Sequence, residues 1–173
     1  MRVIEAGPIN ATNINFITEL GHSLFLADLV QEAWSGNWVK EGEEGPEWDT
    51  EGFLDHTLPL RGQKFDVVLL WTALDYLPEA LLAPVVERLY EFMNPGGQAF
   101  ALFHTRKDGD EASHCRFHLT TSDDVLVQLA EPHEIQRAFT NRSVERLFSA
   151  WGGQKFFLAK DGVSEVLFTR TDE

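Results

Sequence analysis

The chain has a single cysteine, Cys115, in 173 residues. One thiol cannot form an internal disulfide or by itself build a thiolate zinc centre, and it fits a reducing compartment. Basic residues are also scarce: 14 Lys and Arg stand against 28 Asp and Glu, for a net charge of −14 with the histidines neutral. Such a surface repels phosphate backbones, so nucleic acid is not an expected partner and a small neutral or cationic one is easier to accommodate. No apolar run approaches the roughly 20 residues of a membrane span, so no membrane partner is expected. The opening Met1-Arg2-Val3-Ile4-Glu5 does not read as a secretory signal, and the expected location is cytoplasmic. With no internal repeat and no second composition zone, residues 1–173 are expected to form one domain with a sizeable core.

What the chain does have is an alternation of short apolar runs with helical patterns. Residues 2–7 predict a strand ending at Gly7, followed by a turn over Pro8–Asn13. Ile14, Phe16, Ile17 and Leu20 recur at helical spacing, and Gly21 stands where a C-terminal cap belongs. His22–Asp28 predicts a second strand ending in a carboxylate, which completes a βαβ unit of about 30 residues. Residues 31–55 are the least legible: a helix from Leu29 carrying Trp34 and Trp38, a polar loop over Lys40–Asp49, and a brief strand at Phe53–Asp55. Phe65–Trp71 has the near-continuous apolar character of a strand buried on both faces of a parallel sheet. Pro78 opens a helix buried through Leu81, Leu82, Val85, Leu89 and Phe92. Asn94–Gly97 is a turn and Gln98–His104 a buried strand. Arg106–Cys115 is irregular, Phe117–Thr120 a short strand, and Arg142–Trp151 helical. Lys155–Ala159 and Glu165–Thr169 flank Lys160-Asp161-Gly162, a hairpin signal. The fold class is therefore α/β: a doubly wound, mostly parallel sheet closed by a C-terminal antiparallel hairpin, with helices on both faces.

In such sheets ligands bind beyond the carboxyl ends of the strands. A glycine after the first strand admits a close ligand approach, and the following helix start favours a negative group. A carboxylate roughly 20 residues on can hold ribose hydroxyls. Gly7 and Asp28 occupy those positions, with Glu5, Trp71 and Thr72 as further lining and Tyr76 as a candidate substrate contact. Each has a plainer alternative: a helix cap for Asp28, a turn for Gly7, a core role for Trp71. Asp66 reads as structural. His104, His114, Cys115 and His118 lack the paired spacing of zinc ligands, and no metal is expected.

The combined pattern resembles class I S-adenosylmethionine (SAM)-dependent methyltransferases over nearly the whole chain. Val3-Ile4-Glu5-Ala6-Gly7 is similar to the family's first-strand motif, and Leu26-Ala27-Asp28 to the acidic end of its second strand. Asp55-His56-Thr57-Leu58-Pro59 is loosely similar to the segment that meets the adenine amine. The most specific part is Phe65-Asp66-Val67-Val68, then Leu74-Asp75-Tyr76-Leu77-Pro78, then Asn94-Pro95-Gly96-Gly97. The resemblance implies a Rossmann-like fold, SAM as cofactor, and Glu5, Gly7, Pro8, Asn10, Asp28, Leu29, Asp55, Trp71 and Thr72 as its binding residues. No catalytic residue is singled out.

Two departures shape the expectations. The loop reads Gly7-Pro8-Ile9-Asn10-Ala11-Thr12-Asn13 where typical members carry Gly-x-Gly-x-Gly, so the amides of Asn10 and Asn13 stand in for bare backbone. Met1 falls at the first strand, where the family carries helices that cover the cofactor. A partner subunit or residues 106–120 are left to supply that wall, and the apolar surface so exposed predicts a homodimer. The expected function is SAM-dependent methylation of a small acceptor. The rival reading is a catalytically inactive, methyltransferase-like binding or scaffold protein. A nicotinamide enzyme is disfavoured because the glycine fingerprint is absent.

Overall fold

The computed structural model describes residues 1–108, 113–160 and 162–171. The expected turn residue Asp161, and residues 109–112 of the expected irregular stretch, lie outside the described residues. A six-stranded sheet forms the centre. Its strands are β1 (Arg2–Glu5), β2 (Ser23–Leu26), β5 (Phe65–Trp71), β6 (Met93–His104), β9 (Gly152–Lys160) and β10 (Val163–Arg170), in the order β2-β1-β5-β6-β10-β9. The β2–β1, β1–β5 and β5–β6 pairs are parallel, while β10 runs antiparallel to both β6 and β9. The reversed strand is thus inserted between two others and does not sit at the edge.

The strand order reverses at β1: the chain steps outward to β2 and then returns to pair β5 on the other side of β1. That reversal opens a crevice beyond the carboxyl ends of β1 and β5. Its floor depends on a sheet buried from both sides, and Ile4, Val68, Leu70, Ala99 and Ala101 are fully buried there. Helix α1 (Ala11–Glu19) packs on β2, while α2 (Leu29–Ser35), α3 (Thr50–Thr57) and α5 (Glu79–Phe92) pack in succession. A short α4 (Ala73–Tyr76) follows β5 directly, and α6 (Asn141–Leu147) leads through a 3-10 turn at Ser149–Trp151 into β9. Phe148 stacks on Phe168 with ring centres 3.6 Å apart, fixing this last helical segment on β10.

Several local expectations are corrected. The turn expected over Pro8–Asn13 is shorter, because the Asn10 side chain caps α1 by accepting from the Asn13 N–H, so Ala11–Asn13 are helical. Helix α2 ends at Ser35, and Trp38 lies beyond it with its indole N–H bonded to the Glu32 carbonyl. The polar loop over Lys40–Asp49 is a hairpin of β3 (Val39–Gly42) and β4 (Gly45–Trp48), its reversal eased by Gly45 at φ +118°. The strand expected at Phe53–Asp55 is helix α3, because Asp49 caps the chain by accepting from the Gly52 N–H. Asn94–Gly97 does turn, but as a bulge inside β6: the register jumps from Phe65–Met93 to Val67–Gln98. Asp66 is structural, accepting from the Arg2 N–H and the Asn94 amide at the amino end of the sheet. Those two bonds hold its carboxyl below the usual range.

The segment after β6 forms a separate two-stranded hairpin of β7 (Cys115–Leu119) and β8 (Val125–Leu129). It stands over the crevice.

Candidate functional site

Each wall of the crevice is set by where a strand ends. β1 delivers Glu5, Ala6 and Gly7 to the opening, and β5 delivers Trp71. Trp71 has φ +48°, a left-handed conformation that costs a bulky residue on the order of 1–3 kcal/mol. The bend directs its indole across the first-strand loop: a Cβ placed on Gly7 would lie 3.2 Å from Trp71 Cδ1. Gly7 therefore serves close packing by the protein's own indole, and Pro8 beside it is buried.

Beneath the indole lies Glu5, 1% exposed. Its Oε2 accepts from the Asn13 amide at 2.8 Å and the Trp71 indole N–H at 3.4 Å, while Oε1 is buried with no partner. Burial pushes the Glu5 carboxyl above its ordinary range, and the two hydrogen bonds and nearby His118 only partly offset that. Asn13 also donates to the Phe117 carbonyl at 2.8 Å and accepts from the Leu119 N–H at 2.8 Å. Asn10 donates to the same carbonyl at 3.0 Å, and Arg116 reaches the Ile9 carbonyl at 2.9 Å. Phe117 stacks on Trp71 at 5.2 Å between ring centres, with planes 14° apart. Residues 106–120 were one of two expected sources of a wall, and β7 supplies one here. It reaches the loop itself through the two asparagine amides.

The neighbouring part of the crevice is open. A cleft of about 320 Å³ runs between the end of β2, α2 and α3, and is lined by Ile9, Leu26, Asp28, Gln31, His56 and Thr57. Asp28 caps α2, its Oδ1 accepting from the Gln31 N–H at 3.2 Å, and it also faces the cleft. The expected helix cap is therefore present, and capping leaves the side chain at the border of the cleft. A larger groove of about 980 Å³ lies between α5 and residues 136–151 and shares no lining residue with this cleft. The strand reversal makes the smaller cleft the candidate ligand site.

The structure brings Glu5, Gly7, Asn10 and Trp71 together around Asn13, with Asp28 in the adjoining cleft. It separates the others. Leu29 is fully buried in the core at the start of α2. Asp55 faces Arg88 at 3.3 Å on the α5 side of α3, away from the cleft its neighbours His56 and Thr57 line. Thr72 is buried, and its carbonyl accepts from the Asp75 N–H. Tyr76 is fully buried, its ring edge against His104 and His114, and burial raises its hydroxyl pKa. In this arrangement Tyr76 is core lining.

Sequence reasoning missed the Asp75–His104 pair. His104 at the end of β6 gives its N–H and its Nδ1 to Asp75 Oδ2, at 2.8 and 2.6 Å. Both side chains are buried, and Asp75 Oδ1 has no partner. Burial pushes the Asp75 carboxyl up, against the pull of His104 and Arg137. The available signal was an acidic residue inside Leu74-Asp75-Tyr76 immediately after a buried strand. Among the described residues no group of three His, Cys, Asp or Glu is placed to hold a metal ion. No helix among them is long and apolar enough to cross a membrane.

No known family pattern matches the chain, and no curated protein matches it in sequence. Solved structures do match its fold. A SAM-dependent methyltransferase from Clostridium acetobutylicum superposes with a TM-score of 0.53 at 11% identity, covering 99% of this chain and 84% of that one. The 1,6-didemethyltoxoflavin N1-methyltransferase of Burkholderia thailandensis, solved with its substrate and S-adenosylhomocysteine, gives 0.51 at 16% identity, covering 99% and 71%. An O-methyltransferase family protein from the same organism gives 0.51 at 13%, covering 98% of this chain but 43% of that one. The chain spans less than half the length of some of the structures it matches. At these identities the likeness is one of fold: the chain shares the Rossmann-like plan of those methyltransferase structures.

Proposed function

We propose that this chain binds S-adenosylmethionine and methylates a small acceptor. The observation that carries the reading is the pair of carboxylates delivered to one crevice by adjacent strands. Glu5 ends β1 with a buried, unpartnered Oε1, and Asp28 follows β2 on the lip of an open cleft. The residues fit the cofactor at one end. Asp28 supplies a ribose acceptor, and the cleft between β2 and α3 is of the size range in which small ligands bind. They do not fit it at the other end while β7 is seated, because Trp71 covers Gly7 and Phe117 covers Trp71. Binding of the whole cofactor requires β7 to withdraw and the Asn10 and Asn13 amides to exchange the Phe117 carbonyl for ligand.

One observation favours a second reading, a methyltransferase-like protein that performs no transfer. Asn10, Asn13, Glu5 Oε2 and Trp71 already bond to one another or to β7, at hydrogen-bond distances of 2.8–3.4 Å. Calorimetric titration of the full chain with SAM and with S-adenosylhomocysteine separates the two. Micromolar binding that Asp28→Asn weakens by more than about tenfold, the effect of a lost charge-assisted bond, supports cofactor binding. Absence of binding at millimolar ligand, in the wild type and in Phe117→Ala alike, overturns it and leaves the inactive reading.

A further inference from the structure

The β7–β8 hairpin has two outer edges, and among the described residues they differ in whether anything bonds to them. The Ala130 N–H donates to the His114 carbonyl, so this pair sits at a hydrogen-bonded position of the hairpin. Antiparallel bonding alternates, so Arg116–Gln128 and His118–Leu126 do the same, and the odd-numbered residues of both strands point their backbone groups outward. On β7 two of these groups are taken: the Phe117 carbonyl accepts from Asn10 and Asn13, and the Leu119 N–H donates to Asn13. On β8 the outward groups belong to Val125, Val127 and Leu129, and no described residue bonds to them. The side chains there are apolar and open, with Leu126 and Val127 62% exposed and Leu129 71%.

An open apolar edge strand invites pairing, and proteins restrict the invitation with charge. Here the restriction has one sign. Asp123 and Asp124 precede β8, Glu131 and Glu134 follow it, and all four are exposed. A second copy pairing antiparallel about Val127 would set Asp123 of one copy against Glu131 of the other at both ends, so like charges oppose self-association. An incoming strand with basic residues at both ends meets complementary charge instead.

We propose that the free edge of β8 docks an extended segment of a partner protein, with alternate apolar residues flanked by Lys or Arg, which adds as a third strand to the hairpin. The backbone groups of Val125, Val127 and Leu129 supply the ladder, and the flanking carboxylates select the partner. The inference is independent of cofactor binding.

The test titrates a labelled peptide, Lys-Lys-Val-Thr-Val-Thr-Val-Lys-Lys, into the full chain by fluorescence anisotropy, beside the same peptide with Glu in place of each Lys. Saturable binding of the Lys peptide is expected, weakening as salt is raised, with the Glu peptide at least about tenfold weaker. Val127→Pro removes an outward N–H without breaking a bond inside the hairpin, so it lowers affinity while the melting temperature holds. The combined Asp123→Asn, Asp124→Asn and Glu131→Gln variant abolishes the discrimination between the peptides and leaves the backbone edge intact. No saturation at millimolar Lys peptide overturns the proposal, as does equal affinity for the two peptides. Concentration-dependent dimerisation in light scattering that Val127→Pro removes also overturns it, because the occupant is then a second copy.

Discussion

The two halves of the crevice differ in what satisfies their polar groups. Around Gly7 the protein does so itself for all but Glu5 Oε1: Glu5 Oε2, Asn10, Asn13, Trp71 and the edge of β7 form one bonded set under a Trp71–Phe117 stack. Around Asp28 it does not: one carboxylate oxygen caps α2, and the side chain still faces an open cleft. The same strand reversal creates both halves, so topology alone does not decide whether a crevice stays open. Side chains in the first-strand loop decide it. A glycine-only loop has no side-chain amides to extend, whereas Asn10 and Asn13 reach out and bond to the edge of β7.

The largest effect follows from cutting that bonded set at its centre. Asn13→Ala removes one donor each from Glu5 and the Phe117 carbonyl, which keep only Trp71 and Asn10, and leaves the Leu119 N–H without its acceptor. A loss of about 3 kcal/mol is expected, read as a fall of about 10 °C in melting temperature. A fall within about 2 °C means the closed half is not held by these bonds. Phe117→Ala attacks the same half from above. It forfeits the stack on Trp71 for about 2 kcal/mol, and on the cofactor-binding reading it tightens S-adenosylhomocysteine binding measured by calorimetry. Weaker binding in this variant would show that Phe117 contributes to the ligand site and does not block it.

A smaller effect is read as a slope. Burial raises the Glu5 carboxyl above its ordinary 4.5, so the folded state prefers it protonated. The stability this contributes is complete below about pH 4.5 and is lost as pH climbs through the raised folded value. Glu5→Gln keeps the acceptor for Asn13 and Trp71 but cannot ionise. Denaturation curves from pH 4 to 8 should show the variant gaining on the wild type as pH rises, with no further gain once Glu5 is fully ionised. Parallel curves at every pH would mean that Glu5 is not protonated on burial.

Legibility tracks how local the determining interaction is. Phe65–Trp71 was readable because a continuous apolar run needs two covering layers, whichever residues provide them. Glu5, Gly7 and Asp28 were readable because strand ends mark the crevice. The β3–β4 hairpin was not, since Lys40–Glu47 has no apolar alternation to display. Helix α3 has the same short apolar pair, Phe53-Leu54, as a brief strand would, and only the Asp49 cap before it marks it as a helix. The closure of the Gly7 half was beyond local reading. It rests on a left-handed Trp71 and on Phe117 arriving from a distant hairpin, and neither has a short-range signature.

The smallest predicted effect tests the open half, where on the cofactor-binding reading one residue carries two roles that substitution can separate. Asp28→Ala removes the acceptor that caps α2 at the Gln31 N–H, which costs about 1 kcal/mol of stability. Asp28→Asn retains a capping oxygen and should stay within a few tenths of a kcal/mol of the wild type, since Asn and Asp cap about equally well. Ligand binding should not follow that order. A ribose hydroxyl held by a carboxylate is held by a charged acceptor, and the amide lacks the charge. Both variants should therefore lose S-adenosylhomocysteine affinity in calorimetry, although only Asp28→Ala loses measurable stability in denaturant unfolding. If affinity instead falls only in the variant that loses the cap, Asp28 acts on the cleft through the position of α2, and the open half has no charged ribose acceptor of its own.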